Sequence, residues 1–174
     1  FIEGLNLSER DYVSLATSLA IRLPQRSEEI VAAQLVKIRN TDRRRRFEWI
    51  SPALSAKQEV RDEFFYALQD VENREIESWV LTALQALHHP LRRDGSESYI
   101  LPSLELLEEI QSTGDIFFPG RWLTTTLSNH VSLKASDTVR NFLAQHPDYN
   151  EPLRSKILQA ADNLFRAEQM LRED

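Results

Sequence analysis

Residues 79–122 read WVLTALQALHHPLRRDGSESYILPSLELLEEIQSTGDIFFPGRW, and this stretch decides the fold. Val80, Ala83, Leu84 and Leu87 recur at the i, i+3, i+4, i+7 spacing of one helix face, and Leu104, Leu107 and Ile110 repeat it. Pro90 ends the first helix, because the residue before a proline is pushed out of the helical region. Pro102 sits where the second helix begins or kinks, and Gly114 is its stop signal. Two amphipathic helices must then cover each other, with a third opening near Pro119 and anchored by Trp122.

The same grammar extends outward. Toward the N-terminus, Ser8 is a cap for a helix with Tyr12, Leu15, Ala16 and Leu19 on one face, and Pro24 breaks it. Ser27 reads as the cap of a second helix with the stripe Ile30, Val31, Gln34, Leu35 and Ile38. Asn40-Thr41-Asp42 opens a short third helix over 43–50, stopped by Ser51-Pro52. Ser55 reads as the cap of a fourth (Val60, Phe64, Phe65, Leu68) and Asn73 as the cap of a fifth, reaching Leu87. Toward the C-terminus, Ser136 reads as the cap of a helix carrying Val139, Phe142 and Leu143, which His146-Pro147 breaks. Pro152 starts the last helix, with Leu153, Ile157, Leu158, Ala161, Leu164 and Phe165 as its stripe. The expectation is an all-α chain of about nine helices in antiparallel hairpins. Their period of roughly 30 to 40 residues is that of HEAT-like or armadillo-like arrays.

Composition agrees. With 174 residues, 41% hydrophobic and 28% charged, the chain has the make-up of one globular domain. Gly numbers 4 and Pro 7, too few for a protein of many strands and turns. There is no Cys, which excludes disulfides, thiolate metal sites and cysteine catalysis. A cytosolic or a periplasmic protein can lack Cys, so the compartment stays open. No apolar run approaches the roughly 18 residues of a membrane span, and the start FIEGLNLSERDY has no signal-peptide pattern and no initiator Met. We expect a single helical domain over 1–174, cut from a longer chain. The net charge of −6 argues mildly against a general nucleic-acid binder. It is unevenly spread: residues 1–60 hold 10 Lys and Arg against 8 Asp and Glu (+2), and residues 61–174 hold 11 against 19 (−8).

Few residues carry chemistry. Arg43, Arg44, Arg45 and Arg46 are consecutive, so on a helix they spread around the axis rather than forming one patch. Solvation or ion pairing with acids such as Asp42 and Glu48 is their simplest role; an interdomain or peptide-carboxylate contact is the functional one. His88 and His89 end a helix, where an imidazolium favours the negative dipole. Glu105, Glu108 and Glu109 place carboxylates one turn apart, without a second cluster to complete an acid–base site. Ile116-Phe117-Phe118 is an apolar connector, read as core filling or as a docking surface. Ser128, His130 and Asp137 have the residue types of a hydrolase triad but no nucleophile elbow.

Several longer strings resemble a known family. They are Arg43-Arg44-Arg45-Arg46-Phe47 with Ser51-Pro52-Ala53-Leu54-Ser55, and Trp79-Val80-Leu81 leading to Leu87-His88-His89-Pro90-Leu91-Arg92. The likeness continues through Tyr99, Pro102, Leu104 to Gln111, and Thr113 to Pro119, then resumes at Pro147-Asp148-Tyr149 and Leu153 to Asp162. Over roughly 27–170 the chain resembles the C-terminal helical domain of the M1 zinc aminopeptidases, bacterial branch. The family's chemistry rests on an HExxH helix with a distant Glu, which hold zinc, and a Gly-x-Met-Glu-Asn strand that grips the substrate's amino terminus. Here none of His88, His89, His130 or His146 is followed by Glu, none pairs at i, i+4, and the one Met is Met170. The resemblance therefore implies the non-catalytic end of such an enzyme, with no catalytic, cofactor or metal residue in this chain and zinc held elsewhere in the parent. Its implied role is to wall off the chamber that admits peptides. Its implied partners are the catalytic domain of the same polypeptide and the peptide substrates. Candidate interdomain or peptide contacts are Arg43, Arg44, Arg45, Arg46, His88, His89 and Arg92. The rival readings are a stand-alone helical-repeat scaffold binding a protein partner and, on Arg43 to Arg46, a nucleic-acid-associated domain.

Overall fold

The computed structural model describes residues 6–173, which are all-α, with no strand among the described residues. The chain divides into two compact units, one ending at Phe64 and the other beginning at Phe65.

In the first unit, α1 (Glu9–Arg22) starts from a complete capping box. The Ser8 hydroxyl accepts the Asp11 N–H at 3.3 Å, and the Asp11 carboxylate accepts the Ser8 N–H at 2.8 Å. Its buried face keeps only Ala16 of the expected stripe. Ala16, Ala20 and Ile21 are buried, while Tyr12, Leu15 and Leu19 are exposed. α1 packs on α2 (Ser27–Lys37) and on the helix that follows it. A 3₁₀ turn at Pro24–Arg26 joins α1 to α2.

Ser27 is the first residue of α2 rather than its cap. Its buried hydroxyl donates to the Leu54 carbonyl at 2.7 Å, tying α2 to the end of α3 (Thr41–Leu54). Asn40 caps α3 as expected, but Ser51-Pro52 does not stop it. Pro52 falls in the last turn of α3, where it lacks one ladder N–H, and the Ser51 hydroxyl donates to the Phe47 carbonyl at 2.6 Å. The Ser55 hydroxyl accepts the Lys57 N–H at 3.1 Å just ahead of α4 (Gln58–Ala67).

In the second unit, Asn73 does not cap a helix. Asp70 caps a 3₁₀ turn at Val71–Arg74, and α5 (Glu77–Leu87) begins three residues later. The buried Arg74 guanidinium donates to the Leu68 and Gln69 carbonyls and pairs with Glu109. A 3₁₀ turn at Pro90–Arg92 and α6 (Arg93–Ser96) follow, then a 3₁₀ turn at Glu97–Tyr99. Next come α7 (Ile100–Glu105) and α8 (Leu107–Thr113). The unit is completed by α9 (Phe118–Leu127), α10 (Leu133–Gln145), α11 (Glu151–Ala160) and α12 (Asp162–Glu173). Relative to about nine expected helices, α6 is an extra turn, one expected helix is interrupted at Leu106 and another at Ala161.

The stripes read from residues 79–122 are all in place. Val80, Ala83, Leu84, Leu87, Leu104, Leu107, Ile110 and Trp122 are fully buried. α9 is the central element of the unit, packing on α5, α7, α8 and α11, while α10 packs on α7 and α12. The Trp122 indole N–H donates to the Ser103 carbonyl at 3.2 Å, so its polar edge is satisfied inside the core. Gly114 ends α8 in an extended conformation, φ −101° and ψ 178°, not in the left-handed one. What requires glycine is space: a Cβ there would meet Phe118 Cδ1 at 2.7 Å and the Ile110 carbonyl at 3.0 Å. Ser132, not the expected Ser136, caps α10; Ser136 lies buried one turn inside it, donating to Glu168 at 2.6 Å.

Candidate functional site

The arginines lie in the first unit. Arg43 pairs with Glu9, which also accepts the Arg39 N–H at 2.8 Å, so this cation ties α3 to the start of α1. Arg44 and Glu48 form an exposed i, i+4 pair at 3.1 Å. Arg46 is half-buried and engaged. Arg45 is exposed and has no ion-pair partner among the described residues. The four are thus engaged differently, Arg43 with Glu9 and Arg44 with Glu48.

His88, His89 and Arg92 lie in the second unit. His88 is the C-cap residue of α5 and is fully buried. His89 is half-buried, and its Nδ1 accepts the Leu91 N–H at 3.2 Å, capping the following turn. Arg92 is half-buried and engaged. The adjacent imidazoles thus serve different surroundings.

His88 instead meets a residue that sequence proximity does not supply. Its Nδ1 lies 3.0 Å from His130 Nε2, with the rings 5.2 Å apart and at 79°. The Asn129 side-chain amide adds a hydrogen bond to the His88 carbonyl at 3.0 Å. Burial, then the neighbouring His130, pushes His88 down to about 3. Burial pushes His130 down to about 4, with Glu97 opposing and Arg93 assisting. Both rings are therefore neutral at neutral pH, and one donates to the other. Ser128, His130 and Asp137 are not assembled as a triad: His130 faces His88, and Asp137 pairs with Arg172 at 3.1 Å.

A groove of about 510 Å³ is lined by Glu105, Glu108, Phe142, Gln145, His146, Pro147, Asp148 and Tyr149. It lies at the C-terminal end of α10, where the helix dipole is negative. The rings of Phe142 and Tyr149 meet edge to face at 5.2 Å, and His146 Nδ1–H donates to the Phe142 carbonyl at 2.8 Å. Burial and the Glu108 carboxylate push the Tyr149 hydroxyl up to about 12. The lining holds carboxylates and aromatic faces and no Lys or Arg, a field that favours a cationic group. Residue spacing pointed to Glu105 and Glu108 only as an exposed face. What brings them to Tyr149 is the turn after α10, which Pro147-Asp148-Tyr149 marks in the sequence.

Each of the four imidazoles has one ring nitrogen engaged, His88 and His130 with each other, His146 with a carbonyl and His89 with an N–H. Among the described residues no group of three or more His, Cys, Asp or Glu side chains is placed to hold a metal ion. Also among the described residues, no helix is long and apolar enough to cross a membrane. Comparison of the chain with known proteins finds no matching family model, no matching curated protein and no matching solved structure.

Proposed function

We propose that this chain is the non-catalytic, HEAT-like helical domain of an M1-type zinc aminopeptidase, whose parent enzyme releases amino-terminal residues from peptides. The observation that carries the reading is the set of strings between residues 27 and 170 that resemble that family. What supports it further is the kind of residue those strings contain. Leu54, Leu87, Leu104, Leu107, Ile110, Phe118, Leu153 and Ile157 are packing residues, buried in their units. Ser51, Pro102 and Gly114 set helix geometry. A domain that shapes a chamber needs such a framework and no reacting group of its own. Zinc and the water-activating carboxylate belong, on this reading, to residues outside the chain.

The reading is tested by metal analysis of the isolated 174-residue chain after zinc loading, with an aminoacyl-amide reporter. Neither retained zinc nor turnover is the expected outcome. Stoichiometric zinc, or turnover above a heat-denatured control, would overturn the non-catalytic assignment.

A second reading, a helical scaffold that binds a protein partner, is favoured by one observation. Of the connector Ile116-Phe117-Phe118, Phe118 is buried and fills core, while Ile116 and Phe117 are 70% and 63% exposed, as a docking connector would be. Pull-down with the wild-type chain and with Ile116→Ser/Phe117→Ser separates the two: specific capture lost in the variant supports the scaffold.

A further inference from the structure

His88 enters the aminopeptidase reading as a candidate contact and His130 does not, and the pairing of the two rings does not depend on that reading. Two neutral imidazoles offer two N–H donors and two lone pairs. One of each is consumed in the contact between His88 Nδ1 and His130 Nε2. The outer nitrogens, His88 Nε2 and His130 Nδ1, are both buried without a partner among the described residues. Whichever ring donates, one buried N–H has no protein partner among the described residues, so the contact between the rings carries the hydrogen bonding of the pair.

The pair also sits at a joint. His88 closes the C-terminal end of α5, and His130 belongs to the connector between α9 and α10. Three polar ties hold that connector in place. Asn129 donates to the His88 carbonyl, His130 pairs with His88, and the Ser132 hydroxyl donates to Glu97. The groups facing the pair come from several elements. Tyr99 lies edge-on to His88 at 6.0 Å, and Arg93 and Glu97 act on His130. Lys134 pairs with Glu97 at 3.5 Å, and His89 neighbours His88 on its own element. A single carboxylate therefore stands against two cations around rings that are already out of water, and an added proton finds no compensation.

We propose that His88 and His130 form an acid-released latch, which holds the connector between α9 and α10 against the end of α5 while both rings are neutral and frees it when they bind protons. Linkage fixes the sign. Folded, both rings lie below the ordinary histidine value of 6.5, at about 3 and about 4. The latch is thus fully closed above 6.5 and weakens as pH falls through the interval between 6.5 and those values. Between about pH 7.5 and about pH 5, each ring that becomes solvated on opening raises the opening constant about 30-fold, and both together on the order of 1,000-fold.

Amide hydrogen exchange on the 174-residue chain tests this at the connector, through the N–H groups of His130, Ala135 and Ser136. Corrected for intrinsic rates, their protection should fall at least about 30-fold over that pH range while amides of α9 and α11 keep theirs. The loss should vanish in His88→Gln/His130→Gln. Unchanged protection in the wild type, an equal loss across α9 and α11, or a loss that persists in the double variant would overturn the latch. Should the variant not fold, imidazole NMR of the wild type still decides: both rings neutral at about pH 5 support the latch, and a ring titrating at the unperturbed histidine value removes it.

Discussion

Four serines show how one residue type is put to different uses. Ser8 caps a helix, as its position before an acidic first turn predicts, and Ser132 caps another. Ser27 and Ser136 read as caps in sequence, yet both hydroxyls are buried and donate across the fold, to the Leu54 carbonyl and to Glu168. The distinction depends on partners 27 and 32 residues away, which no local pattern contains. Glu168 is the more consequential partner. Its carboxylate accepts from Ser136 and pairs with Arg140 at 2.7 Å and Arg172 at 2.9 Å. Ser136 first, then the arginines, hold it down to about 2, from 4.5. A carboxylate lowered in the folded state contributes stability above its unfolded value and loses it as pH falls through the folded one. Urea unfolding of Glu168→Gln should show lower stability than wild type at neutral pH, with the gap closing between 4.5 and about 2. A gap independent of pH would contradict the assignment. Gly114→Ala should cost about 1–3 kcal/mol by overpacking against Phe118 and the Ile110 carbonyl. Because the backbone there is extended, the cost is steric, and Phe118→Leu in the same chain should relieve part of it, read as a partial recovery of Tm.

At the scale of elements, α1 shows where periodicity misleads. Tyr12, Leu15 and Leu19 have the right spacing and the larger side chains, so hydrophobicity ranks their face first. Burial goes instead to Ala16, which shares their stripe, and to Ala20 and Ile21. Ala16→Leu should then destabilise by about 1–3 kcal/mol, whereas Leu19→Ser should stay within about 0.5 kcal/mol of wild type. Thermal unfolding of the two variants checks both, and the opposite ranking would reverse the assignment of the buried face. The arginine helix divides similarly. Arg44 and Glu48 are each about half exposed, so Arg44→Gln should change stability by less than about 1 kcal/mol. Arg43→Gln should cost more, because Arg43 links α3 to the Glu9 carboxylate that also caps the Arg39 N–H. Other breaks had no sequence signal. No Pro or Gly stands at Leu106 or Ala161, where the helices are interrupted. Pro52, a strong stop signal, is carried through by α3.

For the molecule as a whole, the all-α class was legible because scarce Gly and Pro, good helix formers and period-3.6 stripes agree with one another. The core of the second unit was legible for the same reason, Leu84, Leu87, Leu104, Leu107 and Trp122 lying buried where their spacing puts them. The histidine pair was not, since residues 88 and 130 meet only through the packing of α5 and α9. Nor was the groove at Tyr149, whose carboxylates and rings come from α7, α8, α10 and the connector after α10. Function is read from the resemblance, and its sharpest consequence concerns the polypeptide that carries this segment. Immunoprecipitation of the native protein with an antibody to the chain, followed by mass and metal analysis, tests it most directly. The expected result is a polypeptide several times larger than 20.2 kDa that carries stoichiometric zinc and cleaves an aminoacyl-amide reporter. A polypeptide of about that mass, without zinc or turnover, would contradict it.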